Sequence, residues 1–99
     1  MKLFLDDIRT PPPGYQLVRN YEDCIFQLGT QEFELVSLDY SLGHRFTGLD
    51  VLKWMVANGR IPAAINIHSS HTYGRSQMRN YIQSYFPKGY PFTMQCILY

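Results

Sequence analysis

Short apolar runs alternate with segments of helical spacing along almost the whole chain. Lys2–Leu5 reads as a short strand, and residues 15–19 (YQLVR) read as a second. Asn20 is placed to cap a helix over residues 21–28, with Glu22 and Asp23 in its first turn and Gly29 at its end. Residues 33–38 (FELVSL) form a third strand that ends at Asp39. Thr47 caps a helix running through Ala57, with Leu49, Leu52, Trp54 and Met55 as candidate buried positions and Gly59 as its stop. Residues 61–67 contain a fourth strand ending at His68. Residues 74–86 form an amphipathic helix carrying Met78, Tyr81, Ile82 and Tyr85, and residues 92–98 form the last strand.

Strands separated by helices predict a mostly parallel sheet with helices packed on it, in the α/β class. One connection breaks the pattern. The seven residues between Asp7 and Tyr15 are too few for a crossover helix. A polyproline segment rises about 3.1 Å per residue, so these residues span roughly 22 Å. That is enough to run back along a strand of roughly 17 Å. The Pro-rich segment therefore stands in for the first crossover helix, the alternative being an antiparallel hairpin.

The 99 residues make one domain, and 45% hydrophobic against 17% charged residues identify a globular chain. A net charge of +1 excludes a general nucleic-acid binder, so any phosphate recognition has to come from locally placed Arg and His. No apolar run approaches membrane-spanning length, and Cys24 and Cys96 make no disulfide framework. The expectation is a soluble, cytoplasmic protein with reduced thiols. Eight tyrosines suit a polar pocket with aromatic walls, or equally a core with polar tips. The apolar ending MQCILY predicts a homodimer or larger assembly through residues 92–99, unless these residues complete the core of one chain.

Ligands of open parallel sheets bind beyond the carboxyl ends of the strands. Those ends carry Asp6 and Asp7, then Arg19, then Asp39, then His68, Ser69, Ser70 and His71. Carboxylates forced together in this way need a cation, a proton or an arginine between them, and a hard divalent ion such as Mg²⁺ suits oxygen ligands. Asp6, Asp7 and Asp39 are the candidate metal ligands. The alternatives are ordinary ones: a solvated turn at Asp6-Asp7, a loop cap at Asp39, and backbone-bonded loop histidines at His68 and His71. In TYGRSQMR, Gly74 permits close backbone approach and opens a helix with free amides. Arg75 and Arg79 stand where the helix dipole disfavours cations, which points to an external anion.

These motifs together resemble the response-regulator receiver domain, which carries two acids after its first strand, one after its third, and a Ser or Thr after its fourth. The closer resemblance is to a reduced, flavodoxin-like branch, the cyclic-phosphate processing receiver-like family. Its pattern reads LDD-x-R-x-P-P, S-L-D-H-D-L-G, T-G-x-D-V-x-x-W and I-H-S-x-N-x-x-G-x-x-x-M. The chain matches it at residues 5–9, 37–39, 42–43, 47–48, 50–51, Trp54, 67–69, Gly74 and Met78. Two departures stand out: Tyr40-Ser41 replaces the pattern's His-Asp, and His71 replaces its Asn. Nor is there a convincing fifth-strand lysine, Lys88 being the one candidate.

The resemblance implies action on a cyclic phosphate, either a cyclic nucleotide or an RNA end. In a phosphodiesterase, His68 and His71 would be general base and acid. Asp6, Asp7 and Asp39 would hold Mg²⁺ or Mn²⁺ or orient a histidine. Arg9 and Arg75 would stabilise phosphoryl charge, with Ser69, Ser70, Gly74 and Tyr40 completing the ligand site. A second expectation is capture of a cyclic-nucleotide immune signal without cleavage, as by a virus-encoded anti-defence protein, which the loss of the His-Asp pair favours. The third is a signalling domain phosphorylated at Asp39.

Overall fold

The computed structural model describes residues 1–95; of the predicted last strand and the predicted oligomer segment, residues 96–99 lie outside the described residues. Five strands, β1 (Lys2–Leu5), β2 (Tyr15–Val18), β3 (Leu35–Leu38), β4 (Ala64–His68) and β5 (Phe92–Gln95), form one sheet in the order β2-β1-β3-β4-β5. Every pairing is parallel. The β1–β2 pair excludes the hairpin, and residues 6–14 join the two strands without a helix. Among the described residues there are three helices, α1 (Tyr21–Thr30), α2 (Gly48–Asn58) and α3 (Thr72–Tyr85). The order β2-β1-β3-β4-β5 is the flavodoxin-like one, with the first crossover helix missing. None of the helices is long and apolar enough to cross a membrane.

The strand period of two decides which residues reach the core. Leu3 and Leu5 of β1, Val36 and Leu38 of β3, and Ile65 and Ile67 of β4 share one buried cluster with Cys24, Leu28, Val51, Leu52, Met55, Met78 and Ile82 from the helices. Burial pushes the Cys24 thiol up to about 12, so it behaves as a small apolar side chain. The alternate positions form a second row in register across the sheet, Phe4, Ser37, Asn66 and Thr93, on the opposite face.

Helix ends follow the local chemistry, with two corrections. Thr47 caps α2 and Gly59 ends it at φ 65°, both as predicted, and the Asp50 carboxylate accepts the Thr47 N–H at 2.8 Å. Gly29 does not end α1: the helix continues through Thr30, whose hydroxyl donates to the Phe26 carbonyl at 2.9 Å, and closes at Gln31 in extended backbone. Helix α3 starts at Thr72 rather than Gly74. Its cap is His71, whose Nδ1 accepts the Gly74 N–H at 2.9 Å. Histidine is not a usual N-cap, so the sequence offered no signal for it.

Candidate functional site

At the end of β1 the chain turns, and Asp6 builds the turn from its own side chain. Its Oδ1 accepts the N–H groups of Ile8 (2.9 Å) and Arg9 (2.8 Å). From the end of β2, the Arg19 guanidinium donates to the carbonyl oxygens of Asp6 (3.3 Å) and Arg9 (2.8 Å). The turn carries the Arg9 side chain back over the strand ends. There its Nη1 lies 3.1 Å from Asp6 Oδ2 and 3.3 Å from Asp39 Oδ2, in a cluster where Asp6 is 0%, Arg9 7% and Asp39 4% exposed.

His68 closes the cluster from the end of β4. Its Nε2 lies 3.0 Å from Asp6 Oδ2, its Nδ1 lies 2.6 Å from Ser37 Oγ, and its ring stacks on Phe4 at 4.2 Å between centroids. An ionised Asp6 only accepts, so Nε2 carries the ring proton and Nδ1 accepts the Ser37 hydroxyl. The Asn66 amide donates in turn to Ser37 Oγ at 3.0 Å. His68 is 0% exposed and both its nitrogens are engaged.

The cluster places one guanidinium between two carboxylates, and they do not share it equally. Burial alone would raise the Asp6 pKa. The amides of Arg9 and Ile8, the Arg9 guanidinium and His68 together outweigh it and hold the carboxyl below its usual range. Asp39 has less support. Burial and the neighbouring Asp6 charge push it up to about 6, against the Ser69 hydroxyl, Arg9 and the Tyr40 amide. Burial also lowers the His68 pKa, although Asp6 works the other way, so the ring stays neutral.

The second part of the site is the start of α3. Ser69, buried, accepts the His71 N–H on its hydroxyl at 3.1 Å and the Arg75 guanidinium on its carbonyl at 2.6 Å. The His71 ring is exposed and lies 4.9 Å from the Tyr40 ring. The first helical amides, those of Thr72 and Tyr73, have no partner within the helix itself.

Residues 1–84 match the model of the cyclic-phosphate processing receiver domain. The chain belongs to that family. No curated protein and no solved structure registers as a match.

In this receiver domain the predicted site residues divide into three groups. Asp6, Asp39, His68 and Arg9 meet in the buried cluster. Tyr40, Ser69, His71, Gly74 and Arg75 gather at the start of α3 above it. Asp7 and Ser70 join neither: Asp7 is half-buried with its carboxylate beside Gly43, and Ser70 is exposed. Lys88 precedes β5 and so lies at the other end of the sheet from Asp39, where it cannot read a phosphate on that carboxylate. Sequence reasoning missed Ser37. The available signals were a lone hydroxyl in the otherwise apolar end of FELVSL and its match to the first Ser of the family's S-L-D pattern.

Asp6, Asp39 and His68 each offer a ligand atom, all within 4.8 Å of one another, so by distance the group could hold a metal ion. The hydrogen bonding does not fit one. Both Asp6 oxygens are occupied, His68 presents N–H rather than a lone pair, and Nη1 of Arg9 sits between the two Oδ2 atoms.

Gly74 is required by packing. A Cβ there would overlap the Tyr40 ring and Cβ, although the backbone at this glycine is ordinary helix. Gly74→Ala is therefore expected to displace Tyr40 from the start of α3 and cost about 1–3 kcal/mol. Thermal unfolding, together with the chemical shifts of the Tyr40 ring, checks this; an unmoved ring and unchanged stability would contradict it.

Proposed function

We propose that this receiver domain opens a cyclic phosphate, on a cyclic nucleotide or an RNA end, at the mouth formed by Tyr40, Ser69 and the start of α3. The observation that carries the reading is the His71 imidazole. Its Nδ1 is fixed by the Gly74 N–H, so the neutral ring carries its proton on Nε2, the nitrogen with no partner among the described residues. That N–H hydrogen-bonds the leaving oxygen as the ring-opening P–O bond breaks, and the oxygen takes its proton from solvent water, to which Asp39 in turn gives up the one it gains. The attacking water forms the new P–O bond and gives its proton to Asp39, ionised above about pH 6, through the Ser69 hydroxyl. Arg75, held on the Ser69 carbonyl, and the amides of Thr72 and Tyr73 face the phosphoryl charge. His68 takes no direct part, because no ligand reaches it. Neither Mg²⁺ nor Mn²⁺ has a step in this reading.

The sealing of His68 favours a second reading, capture of the cyclic nucleotide without cleavage, since one accessible imidazole replaces the expected pair. Thermal shift and product analysis with cyclic mono- and dinucleotides and RNA ending in a 2′,3′-cyclic phosphate separate the two. Cleavage that rises with pH through about 6 and falls at least tenfold in His71→Ala is expected. A shift with unaltered ligand would establish capture, and no shift with any of them would remove both readings.

Self-association through the segment that begins at Phe92 is a further part of the proposal, because β5 is an edge strand. A monomeric mass at micromolar protein would overturn it.

A further inference from the structure

We infer that Arg9 is the resident cation of the buried cluster, and that the folded chain takes no divalent ion between Asp6 and Asp39. A divalent ion bridging the two Oδ2 atoms would sit about 2.0–2.6 Å from each. Nη1 of Arg9 already lies between them, at 3.1 and 3.3 Å. Ion and guanidinium cannot share that volume.

Three further features keep Arg9 in place. Its backbone N–H is bonded to Asp6 Oδ1 and its carbonyl to Arg19, so the residue is anchored at both ends of its peptide frame. Its side chain is only 6% exposed, so the head group lies inside the protein beside the two carboxylates. The remaining ligand atoms are committed as well. Asp6 Oδ2 also accepts from His68, and the lone pair of the His68 ring points at Ser37, away from the carboxylates. Mg²⁺ dehydrates reluctantly and keeps several waters, whereas the three candidate ligands are 0%, 4% and 0% exposed. The inference rests on this geometry and holds whether the ligand at the mouth is cut or only bound.

The test is a Mn²⁺ titration followed by electron paramagnetic resonance, with thermal unfolding in parallel, on the wild-type protein, Arg9→Gln and Asp39→Asn. The wild type is expected to leave the free-Mn²⁺ signal undiminished up to millimolar metal and to show no thermal shift. Arg9→Gln, with the guanidinium removed and both carboxylates retained, is expected to bind one equivalent and to melt several degrees higher when Mn²⁺ is added. One equivalent bound by the wild type and lost in Asp39→Asn overturns the inference. A folded Arg9→Gln that binds none overturns the assignment of Arg9 as the group that excludes the ion. Where Arg9→Gln fails to fold even with Mn²⁺ present, the contrast between wild type and Asp39→Asn decides alone.

Discussion

Asp6→Ala is expected to lose roughly 3–5 kcal/mol of stability, the range for removing one partner of a buried ion pair. The aspartate serves two structures at once. Oδ1 holds the amides of Ile8 and Arg9 and so makes the turn that lets β1 connect to parallel β2 without a helix. Oδ2 takes the Arg9 guanidinium and His68, both buried with it. Alanine frees the turn amides and leaves the guanidinium with Asp39, whose carboxyl is then needed to balance it. Asp6→Asn is not a gentle variant either, because its NH₂ group meets donors on whichever side it is placed. Asp7→Ala, one residue on, touches none of these bonds and is expected to stay within about 0.5 kcal/mol of wild type. Urea unfolding of the two alanine variants checks the contrast. Equal losses would mean that the pair acts as a solvated acidic turn.

That contrast marks where sequence reading reached its limit. The apolar and polar periodicity located the eight described elements, and strand-end placement alone puts Asp6, Asp39 and His68 at one edge of the sheet. Two identical residues side by side cannot be ranked in the same way. Asp6 and Asp7 differ only in direction, which is set by how the chain leaves the strand, and one is buried while the other lies beside Gly43. His68 and His71 differ likewise: the last strand residue points into the sheet face beside Phe4 and Ser37, and the loop residue becomes a helix cap. Arg9 read naturally as a phosphate ligand, because its charge was visible and its inward course was not. Ser37 becomes meaningful only through register, which sets it between Phe4 and Asn66 on the face where His68 arrives.

Between about pH 4 and 6.5 the wild-type protein is expected to show a stability profile made of two opposed slopes. Asp39 titrates at 3.8 unfolded and about 6 folded, so in that window the native state holds more protons. Its contribution falls as pH rises, by on the order of 3 kcal/mol in all. His68 is depressed below 6.5 in the fold. The unfolded chain therefore takes up the proton first, and the histidine's contribution grows as pH rises toward 6.5. Asp6, lowered from 3.8, adds a loss at still lower pH as it is protonated. Asp39→Asn puts a neutral side chain where the carboxyl is reluctant to ionise, so it removes the falling slope and leaves the rising one. The variant is expected to gain stability as pH rises toward 6.5 and to exceed wild type above pH 7 by on the order of 3 kcal/mol. His68→Gln isolates the other half: whatever its absolute stability, its profile should fall between about pH 4 and 6. Denaturant midpoints at half-unit pH steps measure all three profiles. An Asp39→Asn profile parallel to wild type would mean that Arg9 serves both carboxylates equally. The unequal sharing of one guanidinium, which leaves Asp39 free to take up a proton near neutral pH, would then have to be abandoned.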